Sequence, residues 1–354
     1  DLCNINLKKK KEKGTCIMND DKFFLTYNQQ MRHLRDDKKI DCHDSRHKNI
    51  LIRTGYFNLI NGYKSPFICD TSDKDEHIYI KGTSVDHIYE VKCFDDHLRS
   101  FFLKYITQVE EEVRTLTGYK FDECNEKGNI TWYDTDAYSD TCSLQDKMSA
   151  ISSAYSELSR SRLDYVKFYM ENHKQIPTWI MIKVVNFSTF INVLRCCKKE
   201  VPHSLCNLYE MFDKSLKPNV KLLIGSLHWL RIVRNSCAHN ERIYCISRSK
   251  DRNNRNSGRI LENYFSLLPA RYTREPDQKI FDLIVYFKYY LPPNEYNRFI
   301  DELYNLLVEL QSKLHPNAFD YIRGHMGIGN VEDLIALKYI AKGKIEYNKF
   351  DKKL

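Results

Sequence analysis

Apolar positions along this chain recur at steps of three and four, the spacing of one face of an α-helix, and nowhere alternate long enough to specify a sheet. The clearest run follows Ser84, a candidate N-cap. It comprises Val85, Ile88, Val91, Phe94, Leu98, Phe101, Phe102, Tyr105, Ile106, Val109, Val113 and Leu116, and predicts a helix of about nine turns. Gly118 is its expected stop. Weaker periodicity predicts a helix over 24–34 and a polar loop through 48. A short helix is expected to end near Gly62, with an extended piece leading to Pro66. Further helices are predicted over 163–170, 179–197, 219–243, 280–290 and 296–314, with Pro177 suited to a first helical turn. The polar stretch from 121, rich in Asp, Asn and Thr to residue 150, reads as an insertion or long surface loop within 121–160.

Composition agrees with a mainly α fold. In 354 residues there are only 12 Gly and 9 Pro, too few for a many-turned β-sandwich or a glycine-rich nucleotide fold. No apolar run approaches the roughly 18 residues that span a bilayer, so no membrane association is expected. The opening DLCNINLKKKKEKG carries charge without an apolar stretch after it, unlike a secretory signal, and a cytoplasmic location is expected. Twelve cysteines lie scattered without zinc spacing, which predicts reduced thiols, no metal and no cofactor. The formal charge of +8 hints at an anionic partner. Its candidate locations are Lys8–Lys13, the segment 231–242 and the loop RSKDRNNRNSGR at 248–259, which contains Arg248, Arg252 and Arg255.

The chemistry concentrates in LRIVRNSCAHNERIY (230–244). On a helical wheel Leu227, Leu230, Val233, Cys237 and Ala238 form one face, and Arg231, Asn235, His239 and Arg242 form a polar stripe beside it. Arg234 falls inside the apolar face, where a guanidinium that cannot lose its proton requires an acidic partner or a polar cleft. Arg and His together form a metal-free set for cutting RNA. An imidazole exchanges protons with a ribose 2′-OH or the leaving 5′-oxygen, and a fixed guanidinium stabilises the phosphorane. Such a reaction needs the 2′-OH and spares DNA.

Arg234-Asn235-Ser-Cys-Ala-His239, followed by Asn-Glu-Arg242, resembles the R-N-x-x-A-H-x-x-R signature of HEPN ribonucleases in the form carried by abortive-infection (Abi) proteins. LIRTGYFNLINGYKSPF (51–67) is similar to that family's N-terminal aromatic block, with one extra residue before the Tyr. Phe94-Asp95-x-x-Leu98-Arg99 and Val109-Glu110-x-x-Val113-Arg114 resemble its paired "F-D-x-x-L-R" and "I-E-x-x-L-R" motifs. Pro177-x-Trp179 and Phe187-Ser188 resemble its "P-x-W" and "S-F-G" elements, with Ser188 where Gly is usual. Met326-Gly327-Ile328 resembles its closing turn without the Pro.

The resemblance implies an HEPN-like helical bundle with N-terminal and C-terminal helical elaborations. Residues 1–48 would form a basic arm and first helix, 49–335 the helical domain and 336–354 a tail. Arg234 and His239 stand at the catalytic positions, and Asn235, one turn before His239, would orient the His or the phosphate. Arg231, Arg242, Arg248, Arg252 and Arg255 would hold RNA. Asp95 or Glu110 would supply the acidic partner of Arg234, unless each only pairs with the Arg four residues on, Arg99 or Arg114. With one motif per chain, the resemblance implies a homodimer that brings two motifs together.

Two functions of different class follow. One is a toxin-like endoribonuclease restrained by a protein or non-coding RNA antitoxin. The other is a catalytically idle protein that holds a structured RNA. A purely structural dimerisation module gives no reason for the polar stripe.

Overall fold

The computed structural model describes residues 24–69, 77–126, 130–173, 175–213, 215–248 and 278–340. The lysine run 8–13, loop residues 249–259 with Arg252 and Arg255, and the chain beyond 340 lie outside the described residues. Among the described residues the fold is helical, with isolated β-bridges and no strand, and no helix is long and apolar enough to cross a membrane. The chain divides into two compact units, Asp1–Asp96 with Val308–Ile322 and His97–Leu307 with Arg323–Leu354.

In the first unit, α1 (Tyr27–Arg32) opens with a reciprocal cap between Thr26 and Gln29 and continues into a π-type turn, His33–Asp37. Helix α2 (Ser45–Thr54) is capped by the Asp44 carboxylate and ends at Gly55, whose φ of 75° is left-handed. The predicted helix ending near Gly62 is therefore interrupted. A π-type turn, Phe57–Asn61, follows, and Ser65–Phe67 forms a 3-10 turn in place of the expected extended piece. Leu34, Leu51, Leu59, Phe67, Val85, Ile88 and Val91 are buried here.

Helix α3 (Val85–Asn125) spans the clearest predicted run, and of its twelve predicted apolar positions all but Phe101 and Leu116 are buried. It does not stop at Gly118. A single helical glycine costs only about 1 kcal/mol, and this one packs against α6 (Thr178–Val184), where an added Cβ would lie 3.5 Å from Ile182. The last turn is secured instead by buried Asn125, whose amide donates to Phe121 O at 2.9 Å and Ala137 O at 3.2 Å.

In the second unit, the stretch expected as an insertion or loop within 121–160 holds the end of α3 and a 17-residue helix, α4 (Leu144–Arg160). The polar residues mislead because they form its exposed face, while Ala150, Ala154 and Leu158 are buried. After α5 (Asp164–Asn172), the single helix predicted over 179–197 is two, α6 and α7 (Phe187–Cys196). Asn186 divides them as the N-cap of α7, its side chain accepting from Thr189 N at 3.0 Å. Helix α4 packs along α7, and Glu157 of α4 accepts from Asn186 N at 2.5 Å and Thr189 Oγ1 at 2.5 Å. At the other end of the pair the thiols of Cys142 and Cys196 touch at 3.0 Å. Burial and the Cys142 thiol push Cys196 up to about 12, so it remains a thiol at neutral pH.

Helix α8 (Glu200–Leu208) packs against α9 (Val220–Ala238), as do α7 and α10 (Ile280–Tyr290). Nearly every residue of α10 is buried, the expected fate of a helix apolar all round. It joins an aromatic cluster in which Phe101 and Phe102 of α3 meet Phe299 and Phe287 at 4.9 Å and 6.3 Å. Phe299 belongs to α11 (Pro293–Lys313), which begins at Pro293 rather than Tyr296 because proline is well suited to a first helical turn. Gly327 follows α12 (Pro316–Met326) with φ of 81°, and an added Cβ would lie 3.1 Å from Lys279 Cβ, so glycine is required there. The expected tail does not start at 336: α13 (Glu332–Leu337) crosses that boundary and buries Leu337.

Candidate active site

Helix α9 is started by Asn219, which accepts from Leu222 N at 3.0 Å, and buries Leu227, Leu230, Val233 and Cys237 as the wheel predicts. Ala238, expected on that face, is exposed, and Ser236 is buried instead. The helix ends at Ala238 rather than near 243, which explains the difference: the last turn belongs to the cap and not to the packed face. Asn240 takes a left-handed φ of 55°. Glu241 N then bonds Ser236 O at 2.9 Å and Asn240 N bonds Cys237 O at 3.3 Å, the paired bonds of a Schellman stop. Ser236 Oγ donates to Glu241 Oε2 at 2.9 Å, and buried Arg99 donates from Nη1 to Glu241 O at 3.2 Å. His239 is thereby held as the C-cap residue, its N–H on Asn235 O at 3.0 Å and its side chain exposed. Among the described residues the imidazole has no hydrogen-bond partner.

This stop yields a direct test. Asn240→Ala puts an unassisted side chain in the left-handed region and is expected to cost about 1 kcal/mol. Asn240→Gly is expected to cost nothing. Urea unfolding of both variants measures the difference, and equal stability of the two would remove the left-handed residue as the device that places His239.

Arg234 resolves the conflict on the wheel. Its side chain is 37% exposed, at the edge of the apolar face, and its Nε lies 3.6 Å from Glu110 Oε2. Glu110 also receives Arg114, with Nη2 at 2.6 Å and Nε at 3.1 Å from Oε1. Glu110 thus pairs both within its own helix and across to α9, so the reading in which it only pairs with Arg114 does not hold. Arg114 is further held by Ile182 O at 2.5 Å and lies over the Phe190 ring at 4.8 Å. Burial pulls the Arg114 guanidinium below its ordinary range against the pull of Glu110. Asp95 has a different place, in the first unit, where it is fully buried and accepts from Tyr63 OH at 3.0 Å.

Asn235 is half-buried and its Oδ1 accepts from Arg234 Nη1 at 3.2 Å. The side chain expected to orient His239 or the phosphate bonds Arg234, and its main-chain carbonyl accepts from His239 N. Arg242 is exposed, on the turn beyond the helix rather than on its stripe, and is anchored by buried Ile243 and Tyr244. Arg231 and Arg248 are half-buried. Sequence reasoning missed Arg99 and Asn240 as supports of the His239 turn. Asn after a helical run was the available signal for one; nothing local marked the other, whose partner is 142 residues away.

Beside the Glu110–Arg114 pair, α3 and α6 enclose a groove of about 1150 Å³ that includes exposed Trp179. Glu111, Asp122, Glu123 and Glu126 line it against Lys183 and Arg114. A groove of that sign repels a phosphate backbone.

The family model described as Abi-like protein matches residues 49–245, which run from within α2 through α9 and hold all of these site residues except Arg248. No curated protein and no solved structure matches the chain. Matched over more than half its length, the chain belongs to the Abi-like protein family.

Proposed function

We propose that this protein is a metal-independent endoribonuclease of the HEPN type that acts as a toxin in abortive infection. Family membership supports the biological role. The observation that carries the chemistry is the arrangement on α9. A half-exposed Arg234 is oriented from both sides by Glu110 and Asn235, and His239 stands exposed at the cap about 7.5 Å further along the axis.

His239 accepts the proton of the ribose 2′-OH as that oxygen attacks phosphorus, and the 5′-oxygen leaves. Arg234 faces the charge that develops on the phosphorane oxygens. Fragments then carry a 2′,3′-cyclic phosphate and a 5′-hydroxyl. One imidazole per chain leaves the second proton transfer to another group, which a homodimer supplies by placing two α9 caps across its axis. The cell would require an antitoxin, protein or RNA, to restrain such an enzyme.

The test is cleavage of a labelled single-stranded RNA and its DNA counterpart in chelator, with fragment ends identified by mass. RNA alone should be cut, and to those ends. Retained binding without cleavage would favour the idle RNA-holding protein. Sedimentation of the active form checks the dimer, and a fully active monomer would refute the shared site.

A further inference from the structure

A second group of basic side chains lies on α9, one to two turns before Arg234. His228 and Arg231 are three residues apart on one side of the helix. Helix α7 packs on α9 and carries Arg195 in its last turn. Arg248 is positioned by two-way main-chain pairing with Gln278, at 2.9 Å and 3.1 Å. Among the described residues no carboxylate pairs with Arg195, Arg231 or Arg248.

Arg231 Nε is buried and, among the described residues, has no hydrogen-bond partner. Burial and the neighbouring charge of Arg248 pull its guanidinium below the ordinary range. Burial and the charges of Arg231, Arg248 and Arg195 pull His228 down to about 4, so it is neutral at pH 7 and offers an N–H rather than another charge. A guanidinium that gives up water beside like charges is costly unless an anion meets it. The acidic side of the Glu110 pair shows that this chain does provide carboxylates where it needs to neutralise a buried arginine.

We propose that Arg195, His228, Arg231 and Arg248 form a seat for a backbone phosphate of RNA. Arg231 precedes His239 by about 12 Å of helix axis. The seat therefore holds the strand at a phosphate other than the one being cut. This inference rests on the ribonuclease reading and adds to it the residues that set where the strand enters.

The experiment uses full-length wild type, Arg231→Ala and Arg248→Gln. Melting is followed in chloride and in inorganic phosphate at equal ionic strength. Binding of a fluorescent single-stranded RNA is followed across a salt series, with His239→Ala in every chain to keep the RNA intact. Both variants should bind RNA about tenfold more weakly. The slope of log affinity on log salt should fall by about 0.7 for each lost contact. Phosphate should raise the wild-type melting temperature and raise that of Arg231→Ala less. In chloride Arg231→Ala should melt no lower than wild type, because it removes a half-buried charge that, among the described residues, no carboxylate pairs.

Unchanged RNA affinity and slope in both variants would overturn the proposal. If phosphate nevertheless stabilises wild type alone, the seat takes a small phosphorylated ligand and its assignment to RNA is wrong. Loss of RNA binding in the variants, with wild type and His239→Ala cutting RNA equally, would leave this seat standing and refute the catalytic reading instead.

Discussion

His239→Ala is expected to lower RNA cleavage by about a thousandfold, within the range that general acid–base groups contribute. The side chain is exposed and, among the described residues, its imidazole makes no hydrogen bond, so its removal breaks no buried bond. The melting temperature should therefore stay at the wild-type value. The loss then belongs to chemistry rather than to folding. Single-turnover cleavage in chelator, with melting curves on the same preparations, measures both quantities. Induced expression of wild type should halt growth, and expression of this variant should not. Equal cleavage by the two proteins would refute His239 as the proton-transfer group.

Glu110→Ala should produce the largest loss of stability of any single change at the site, about 3 kcal/mol. The carboxylate is 8% exposed and lies between two guanidinium groups, so its deletion leaves Arg114 buried beside Arg234 with no negative charge between them. Most of that loss runs through Arg114, whose side chain is 11% exposed. The Arg234 side chain is 37% exposed, and water screens its share to about 1 kcal/mol or less. A double-mutant cycle separates the two arms: the coupling of Glu110 with Arg114 should exceed that with Arg234. Glu110→Gln should fall between wild type and Glu110→Ala, since the amide still accepts a hydrogen bond but carries no charge. If Glu110→Ala unfolds at the wild-type urea concentration, the pair on α3 is a surface contact and not the support of Arg234.

The two effects differ because the residues were specified differently. His239 is legible in a short motif, since the helix that carries it also sets its spacing from Arg234 and Asn235. Its exposure is not legible, because that depends on where the helix stops. The periodicity extended α9 to 243, and the left-handed Asn240 ends it at 238. A similar lesson comes from Gly118, read as a stop and found inside a helix because α6 packs on it. Asn186 was passed over inside an apolar run, although its side chain caps α7 and divides the predicted helix. Local signals compete with tertiary contacts worth as much or more, and so boundaries are the first features to be lost.

Periodicity alone determined the helical class, the buried face of α3 and the apolar stripe of α9, because each depends on residues three and four apart in one chain segment. The motif alone placed Arg234 and Asn235 on one helix for the same reason, with His239 found as its cap. Which carboxylate meets Arg234 was open, with Asp95 and Glu110 equally spaced from an arginine on the same helix. Only the packing of α3 with α9 selected Glu110. Only the approach of α7 and of the segment after Gln278 to α9 brought the charges of Arg195 and Arg248 to His228 and that of Arg248 to Arg231. Such partners come from distant parts of the chain, and their meeting is a property of how side chains pack, not of any local period.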